Sequence, residues 1–260
     1  MTAKTYNFAE KLAEAESTRI GIEPLTEINP QITINEAYSI QLENIHRKVN
    51  NGEKVIGKKI GLTSKAMQEL LGVDEPDYGH LLNSMVIENN GEISCTRRLQ
   101  PKVEAEIAFI LKKDLKGPNV TAEDVIAATD YIMPALEIVD SRIKNWQIQL
   151  ADTIADNASS GLYVLGGTPT KVEEVDLELM GMALYKNGEI ANTGAGAAAL
   201  GNPAICVAWL ANKLFEYDIT LKEGEVILSG ALSAAIEAIS GDVFLAKFAQ
   251  IGVVSVRFVD

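Results

Sequence analysis

At 260 residues, with 47% hydrophobic and 23% charged residues, the chain has the composition of a globular protein with a substantial core. Its net charge of −13 argues against nucleic acid and anionic membranes as partners, since both are held by basic surface, and its two histidines, His46 and His80, are too few for a histidine-rich zinc site. Cys95 and Cys206 match no metal or redox spacing, no apolar run approaches the roughly 20 residues of a membrane span, and Met1–Tyr6 lacks a signal-peptide core, so a reducing, cytoplasmic setting is expected.

In chain order, Phe8, Leu12 and Ala15 recur at helical spacing between Phe8 and Ser17. Thr33 and Glu36 form a capping box for a helix with Tyr38, Leu42, Ile45 and Val49 along one face, ended by Asn50-Asn51-Gly52. Val55 to Ile60 reads as a strand, Thr63 as the cap of a short helix through Leu71, and Asp74 to Gly79 as a loop. From Met85 strands dominate: Met85 to Ile87, Val103 to Leu111, Ile132 to Val139 and Leu162 to Leu165, with a helix opened by Thr121. Asn187-Gly188 marks a hairpin between Met182 to Lys186 and Glu189 to Thr193. Asn202-Pro203 starts a helix to Tyr217, and Val226 to Leu228, Val243 to Phe248 and Val253 to Val259 complete the strands, with Gly241-Asp242 as a turn. No linker, repeat or low-complexity tract divides the chain. It reads as one α+β unit over residues 1–260, with a helical and α+β portion over 1–80 and a β core over 81–260.

The stretch around Val103 to Phe109 organises the rest. On a strand, Val103, Ala105, Ile107 and Phe109 face one way and Glu104 and Glu106 the other, their Cα atoms about 7 Å apart. Glu137 closes the apolar run Tyr131 to Leu136. If the three carboxylates converge, each pair at about 5 Å costs roughly 3 kcal/mol at an effective dielectric near 20, which calls for a cation among them. All-oxygen ligands select a hard ion, Mg²⁺ or Mn²⁺. The same alternation also suits a half-exposed strand with a wet face.

Other motifs carry double readings. Lys58 and Lys59 point to opposite faces; one faces inward beside Gly57 and Gly61, or both guard an edge strand. Asp77 is a turn former or a functional acid, and Asp140 and Arg142 could be a surface pair. Asp156 to Gly161 is a simple turn or a binding loop, and His80 is read as hydrogen-bonded and structural. Gly194 to Ala199 fits a relaxed dinucleotide fingerprint, but the hairpin upstream and Pro203 downstream favour a loop where backbones pack closely.

Six co-linear blocks resemble the 2-oxopent-4-enoate (2-hydroxypenta-2,4-dienoate) hydratases of the fumarylacetoacetate hydrolase superfamily. They are GKKIGLTSK (57–65), EPDYG (75–79), KVEAEIAF (102–109), EIVDSR (137–142), DNASSG (156–161) and TGAGAA (193–198). The resemblance implies a rolled, mixed β-sheet core with flanking helices, and one metal-dependent catalytic unit of aromatic-ring (meta-cleavage) degradation. It places Mg²⁺ or Mn²⁺ on Glu104, Glu106 and Glu137 and makes Lys59 and Asp77 catalytic. Ser159, Ser160, Leu82 and Arg142 become substrate-binding candidates around a small anionic 2-hydroxydienoate. It further implies a large homo-oligomer of pentamer-like rings, decamer-like, and association with the pathway decarboxylase. Two cousins share the scaffold: 4-oxalocrotonate decarboxylase, and a hydratase of longer 2-oxo-enedioates. The acidic Asp77 loop, Ser160-Gly161 and the lack of an insertion between Arg142 and Asp152 favour the pentenoate hydratase.

Overall fold

The computed structural model describes residues 3–260; Met1 and Thr2 of the N-terminal stretch read above lie outside the described residues. Three helices come first: α1 (Ala3–Thr18), α2 (Leu25–Ile28) and α3 (Ile34–Asn50). Helix α1 buries Phe8, Leu12 and Ala15, the stripe its spacing predicts. Helix α3 starts on the expected capping box, with the Glu36 N–H donating to Thr33 Oγ1 at 3.2 Å and the Thr33 N–H donating to Glu36 Oε2 at 2.9 Å. Its buried face is Ala37, Tyr38, Ile40, Gln41 and Ile45, while Val49 is exposed. The packed stripe is centred on a polar residue, Gln41, which an apolar pattern overlooks. The Gln41 amide is buried because it donates to the carbonyls of Tyr78 at 2.9 Å and Ile154 at 2.8 Å.

The larger sheet opens with β1 (Val55–Gly61) and, after helix α4 (Lys65–Leu71), β2 (Asp77–Leu82). The cap of α4 is Ser64, not Thr63, which is buried against the Gly230 backbone. The expected loop over 74–79 stops at Pro76, because Asp77 onward pairs antiparallel with β1. Strands β3 (Val86–Ile87) and β4 (Gly91–Ser94) follow, then β5 (Lys102–Leu111), helix α5 (Ala122–Ala128) and β6 (Thr129–Val139). Helix α6 (Leu150–Ala155) leads to β7 (Ser160–Leu165), and β8 (Gly181–Lys186) turns into β9 (Glu189–Ala195) through Asn187 and Gly188, both at positive φ. Helix α7 (Pro203–Phe215) precedes β10 (Val226–Leu228), β11 (Ile236–Glu237), β12 (Val243–Phe248) and β13 (Gly252–Val259). None of the described helices is long and apolar enough to cross a membrane.

The larger sheet runs in the order β2-β1-β10-β5-β6-β7-β3, with β11 also on β5, and the smaller in the order β4-β13-β12-β8-β9. Both are mixed: β1–β10, β3–β7 and β4–β13 are parallel and the other pairs antiparallel. The α+β class read from the sequence is the class the chain adopts. A division at residue 80 falls inside β2, so one sheet spans it. The main core gathers Val103, Ala105, Ile107 and Phe109 of β5 with α7 and the inner face of the smaller sheet. Gly194 and Gly196 lie where any Cβ would run into the carbonyls of Leu232 and Leu177, the close backbone packing expected of that loop.

Strand β1 is interior, so the edge-lysine reading of Lys58 and Lys59 fails: both are buried, on opposite faces. Lys58 lies 2.9 Å from Glu225 Oε1. Removing one partner of such a pair strands the other charge, at a cost of about 3–5 kcal/mol, whereas an apolar replacement of both is near neutral. Lys58→Ala should therefore lower the denaturation midpoint strongly, and Lys58→Met with Glu225→Leu should largely restore it. Equal midpoints for Lys58→Ala and the parent would remove this ion pair from the account of stability.

Candidate metal and substrate site

The face of β5 opposite the main core is half-buried at Lys102 and Glu104, which line a cavity, and closed over from Glu106 onward. Glu106 and Glu137 are 1% and 0% exposed. Antiparallel pairing of β5 with β6 sets Glu104 directly opposite Glu137, and Glu106 opposite Ala135. One carboxylate oxygen from each of Glu104, Glu106 and Glu137 falls within 4.8 Å of the others. Glu106 Oε2 accepts the Gly230 N–H at 2.8 Å, while Glu106 Oε1 is buried with no hydrogen-bond partner. Along the same face the sheet is closed by a separate apolar cluster of Ile45, Leu81, Leu82, Met85, Ala108 and Ile110.

Lys59 comes from β1 with its ammonium 3.4 Å from Glu137 Oε2, donating to the Ala158 carbonyl at 3.1 Å. Burial alone would lower its pKa, but Glu137, Asp77, Glu104 and Glu106 together hold it above the usual lysine value, so it stays charged. Asp77 sits opposite Gly61 in the β1–β2 register, and its Oδ1 takes the place a Gly61 Cβ would fill. Thr153 donates to Asp77 Oδ2 at 3.2 Å, while Asp77 Oδ1 has no partner. Burial raises the carboxyls of Asp77, Glu106 and Glu137, the last against the pull of Lys59, and pushes Glu104 up to about 7 with Glu137 beside it.

Magnitudes decide what the cluster needs. At an effective dielectric near 20, two carboxylates 4.8 Å apart repel by about 3.5 kcal/mol, and Lys59 at 3.4 Å returns about 5 kcal/mol to one of them. With Asp77 and the three glutamates ionised, Lys59 leaves three formal negative charges, and Lys102 at the cavity reduces them to two. A divalent cation balances those two. The donor set fits such an ion: three hard oxygen ligands and an orphaned buried oxygen on Glu106.

A cavity of about 300 Å³ opens over Lys59, Asp77, Glu104 and Ser159, and a neighbouring lobe of about 490 Å³ shares Gly61, Leu62, Lys102 and Glu104 with it. Ser159 Oγ is buried and unpartnered at its wall. Ser160 lies off the cavity and donates to Glu137 Oε1 at 3.4 Å. Leu82 is not brought to the cavity: it is fully buried in the neighbouring apolar cluster, because β2 has turned its side chain into the packing with Met85. Arg142 is likewise elsewhere. It is no surface residue but is buried on Asp156, donating to the carbonyls of Asp140 at 2.7 Å and Ser160 at 2.8 Å. Asp140 does not pair with it through its carboxylate, which accepts the N–H groups of Leu99 and Gln100. His80 is structural, its Nδ1 3.1 Å from Gln41 Oε1 and its pKa well below the usual value through burial.

Thr153, which donates to Asp77, escaped the sequence reading, as did three other residues of the cavity wall. Lys102 shares the face of Glu104 and Glu106 by simple alternation and reaches the cavity with its ammonium 4.3 Å from the Trp146 ring centroid. Trp146 and Ile148 supply an apolar wall from a connection that has no periodic signal.

The sequence model of the fumarylacetoacetate (FAA) hydrolase C-terminal family matches residues 44–259. The chain belongs to the fumarylacetoacetate hydrolase family. This family member is 46% identical to 2-hydroxyhexa-2,4-dienoate hydratase of Comamonas testosteroni, over 96% of each chain. It is 50% identical to 2-hydroxypent-2,4-dienoate hydratase of Pseudomonas putida, over 81% of this chain and 95% of that one. The solved structure of 4-oxalocrotonate decarboxylase from Pseudomonas putida G7, complexed with magnesium and adipate, superposes with a TM-score of 0.97 at 38% identity, covering 100% of this chain and 99% of that one.

Two outcomes test the metal site. Glu106→Gln should weaken Mg²⁺ binding, measured by calorimetry, by more than the roughly 100-fold typical of an outer-shell change; retained affinity would exclude Glu106 as a ligand. The second concerns pH. A carboxyl such as Glu104, raised from 4.5 to about 7 in the fold, contributes stability below its unfolded pKa and loses it as pH rises through the folded one. The metal-free protein should thus lose thermal stability between about pH 5 and 8, and the rise in Tm on adding Mg²⁺ should be larger at pH 8 than at pH 5.5. A rise that is larger at pH 5.5 would reverse the sign and reject the raised carboxyls.

Proposed function

We propose that the protein is a hydro-lyase adding water to 2-hydroxypenta-2,4-dienoate (2-oxopent-4-enoate) to give 4-hydroxy-2-oxopentanoate, in the meta-cleavage breakdown of aromatic compounds. The observation that carries the reading is one buried cavity wall that sets Lys59 and a free Asp77 oxygen beside three convergent glutamates. The relatives at 46–50% identity, both named as dienoate hydratases, support it.

Glu104, Glu106 and Glu137 would hold Mg²⁺ or Mn²⁺, which supplies Lewis acidity toward the substrate's carboxylate and C2 oxygen when bound. Lys59, permanently cationic here, faces the carboxylate or enolate oxygen and supplies the positive charge that a chain of net charge −13 otherwise lacks. Asp77, its carboxyl raised by burial against the pull of Lys59, has one oxygen free to exchange a proton with the substrate or with water. The C2 enol gives up its O–H proton as C5 gains one, leaving a C3–C4 double bond conjugated with the C2 ketone. Water then adds its oxygen to C4 and a proton to C3, so the net change is one water. Asp77 serves the C5 proton or orients that water, and Ser159 Oγ donates a hydrogen bond to the bound anion. Ser160 acts on Glu137 rather than on substrate. Leu82 and Arg142 have no direct part.

A cytoplasmic homo-oligomer associated with the pathway decarboxylase completes the reading. Light scattering tests the oligomeric state.

The decisive assay follows loss of the conjugated dienol by ultraviolet absorbance, with and without Mg²⁺ or Mn²⁺. Turnover should require the ion and be abolished by chelator, and Lys59→Ala should lower kcat/KM by about 100- to 1,000-fold with the fold intact. Full activity in chelator would end the metal-dependent reading. Release of CO₂ from 2-oxohex-3-enedioate without dienol loss would favour the decarboxylase on the same scaffold.

A further inference from the structure

Between α6 and β7 the backbone does something its residue types resist. Asn157, Ala158 and Ser159 lie at φ of +54°, +50° and +53°, three successive non-glycine residues in the left-handed region. Asparagine visits that region readily, but alanine and serine do so at a cost, and runs of such residues persist only where the surroundings over-determine them. The turn matters because it carries two groups of the site: the Ala158 carbonyl that accepts from Lys59, and the unpartnered Ser159 Oγ at the cavity wall.

We propose that Asn157 is a positioning residue for the site: its side-chain amide clamps this turn to β2 and so fixes Lys59 and Ser159 relative to Asp77. The Asn157 Oδ1 accepts the His80 N–H at 2.8 Å, and its Nδ2 donates to the His80 carbonyl at 2.9 Å. The amide thereby takes both hydrogen bonds that a neighbouring strand would give, three residues from Asp77. Gly79 completes the fit, since any Cβ there would run into the Asn157 carbonyl oxygen. The flanks of the turn are held separately. The Ser159 carbonyl accepts the Asp140 N–H at 2.8 Å, and the Ser159 N–H donates to the Asp156 carbonyl at 3.0 Å. Asp156 is in turn fixed by Arg142. Among the described residues, the hydrogen bonds between the turn and the strand bearing Asp77 are those of the Asn157 amide. The metal ligands are carried on β5 and β6, outside the turn.

The inference concerns the site of the hydratase reading and rests on that reading for its catalytic consequence, so it is tested by binding as well as by turnover. The probe is oxalate, a planar dianion whose adjacent oxygens mimic the substrate carboxylate and C2 oxygen, titrated calorimetrically into the Mg²⁺-loaded protein. The variants are Asn157→Gly, which keeps the left-handed freedom but removes the clamp, Asn157→Ala, which removes both, and Gly79→Ala, which pushes on the turn from the strand side. Asn187→Ala, at the distant hairpin where another left-handed asparagine is hydrogen-bonded through its side chain, is the control for general destabilisation.

Mg²⁺ affinity should stay at the parent value in Asn157→Gly. Oxalate affinity should fall by about tenfold or more, and kcat/KM by about 100-fold, the scale set by an ångström of misplacement. The control should lose stability but not oxalate affinity. Parent-like oxalate binding and turnover in Asn157→Gly would overturn the proposal. So would losses of Mg²⁺ and oxalate affinity in parallel, or the same oxalate loss in the control. If Asn157→Ala does not fold, Asn157→Gly and Gly79→Ala still decide. Absence of dienol turnover in the parent protein would instead count against the hydratase reading, and the oxalate titration would still judge the clamp.

Discussion

Everything in this molecule is arranged around electrostatic repulsion that has been buried rather than avoided. Glu104, Glu106 and Glu137 are drawn together on the inner face of a sheet, with Asp77 close by, Lys59 against Glu137 and Lys102 at the cavity beside Glu104. In water such carboxylates would be screened and cheap to hold; taken out of water, each pair repels by several kcal/mol and each group loses its hydration. The fold tolerates this because β5 and β6 are fixed from behind by the largest apolar cluster in the protein. The charge is thereby poised for a divalent cation and an anionic ligand, and Lys59, held cationic by the same carboxylates, serves both.

The supporting structure follows from that constraint. Gly61 has no side chain because the Asp77 carboxylate stands where one would be, and Gly79 is bare because the 157–159 turn presses against it. Arg142 and Asp156, a buried ion pair, brace the two connections that flank the site without reaching it. The protein thus uses buried charge both as chemistry and as bracing, the latter at Arg142–Asp156 and at Lys58–Glu225. Only the first has orphaned oxygens, at Glu106, Asp77 and Ser159, and orphaned buried polar atoms are what a binding site leaves until its ligand arrives.

How far the sequence could be read depended on whether a signal was local. The capping box at Thr33, the helix start at Thr121 and the Asn187-Gly188 hairpin rest on interactions within four residues, and they formed as read. The alternation over Val103 to Phe109 placed two glutamates on one face, and the same alternation extends to Lys102, which went unnoticed. Val49, Thr63 and the 74–79 loop were misjudged because partners distant in sequence decided them: Gln41 bonding to Tyr78 and Ile154, Gly230 over Thr63, and β1 pairing with Asp77. Arg142 and Leu82 drew attention through family likeness and proved to be brace and core.

By itself the amino-acid sequence determined which faces of which strands would be charged, where the helices at Thr33, Thr121 and Asn202 would start, and that an acidic chain would need a hard cation and a local lysine. Those properties are set by side-chain period and by contacts a few residues apart. Only the tertiary structure decided that Glu137 stands opposite Glu104, that Lys59 rather than Lys58 meets the cluster, and that Asn157 reaches back to His80. Register and burial are settled by the packing of the whole sheet against its two cores, and no residue's neighbours in sequence carry that information.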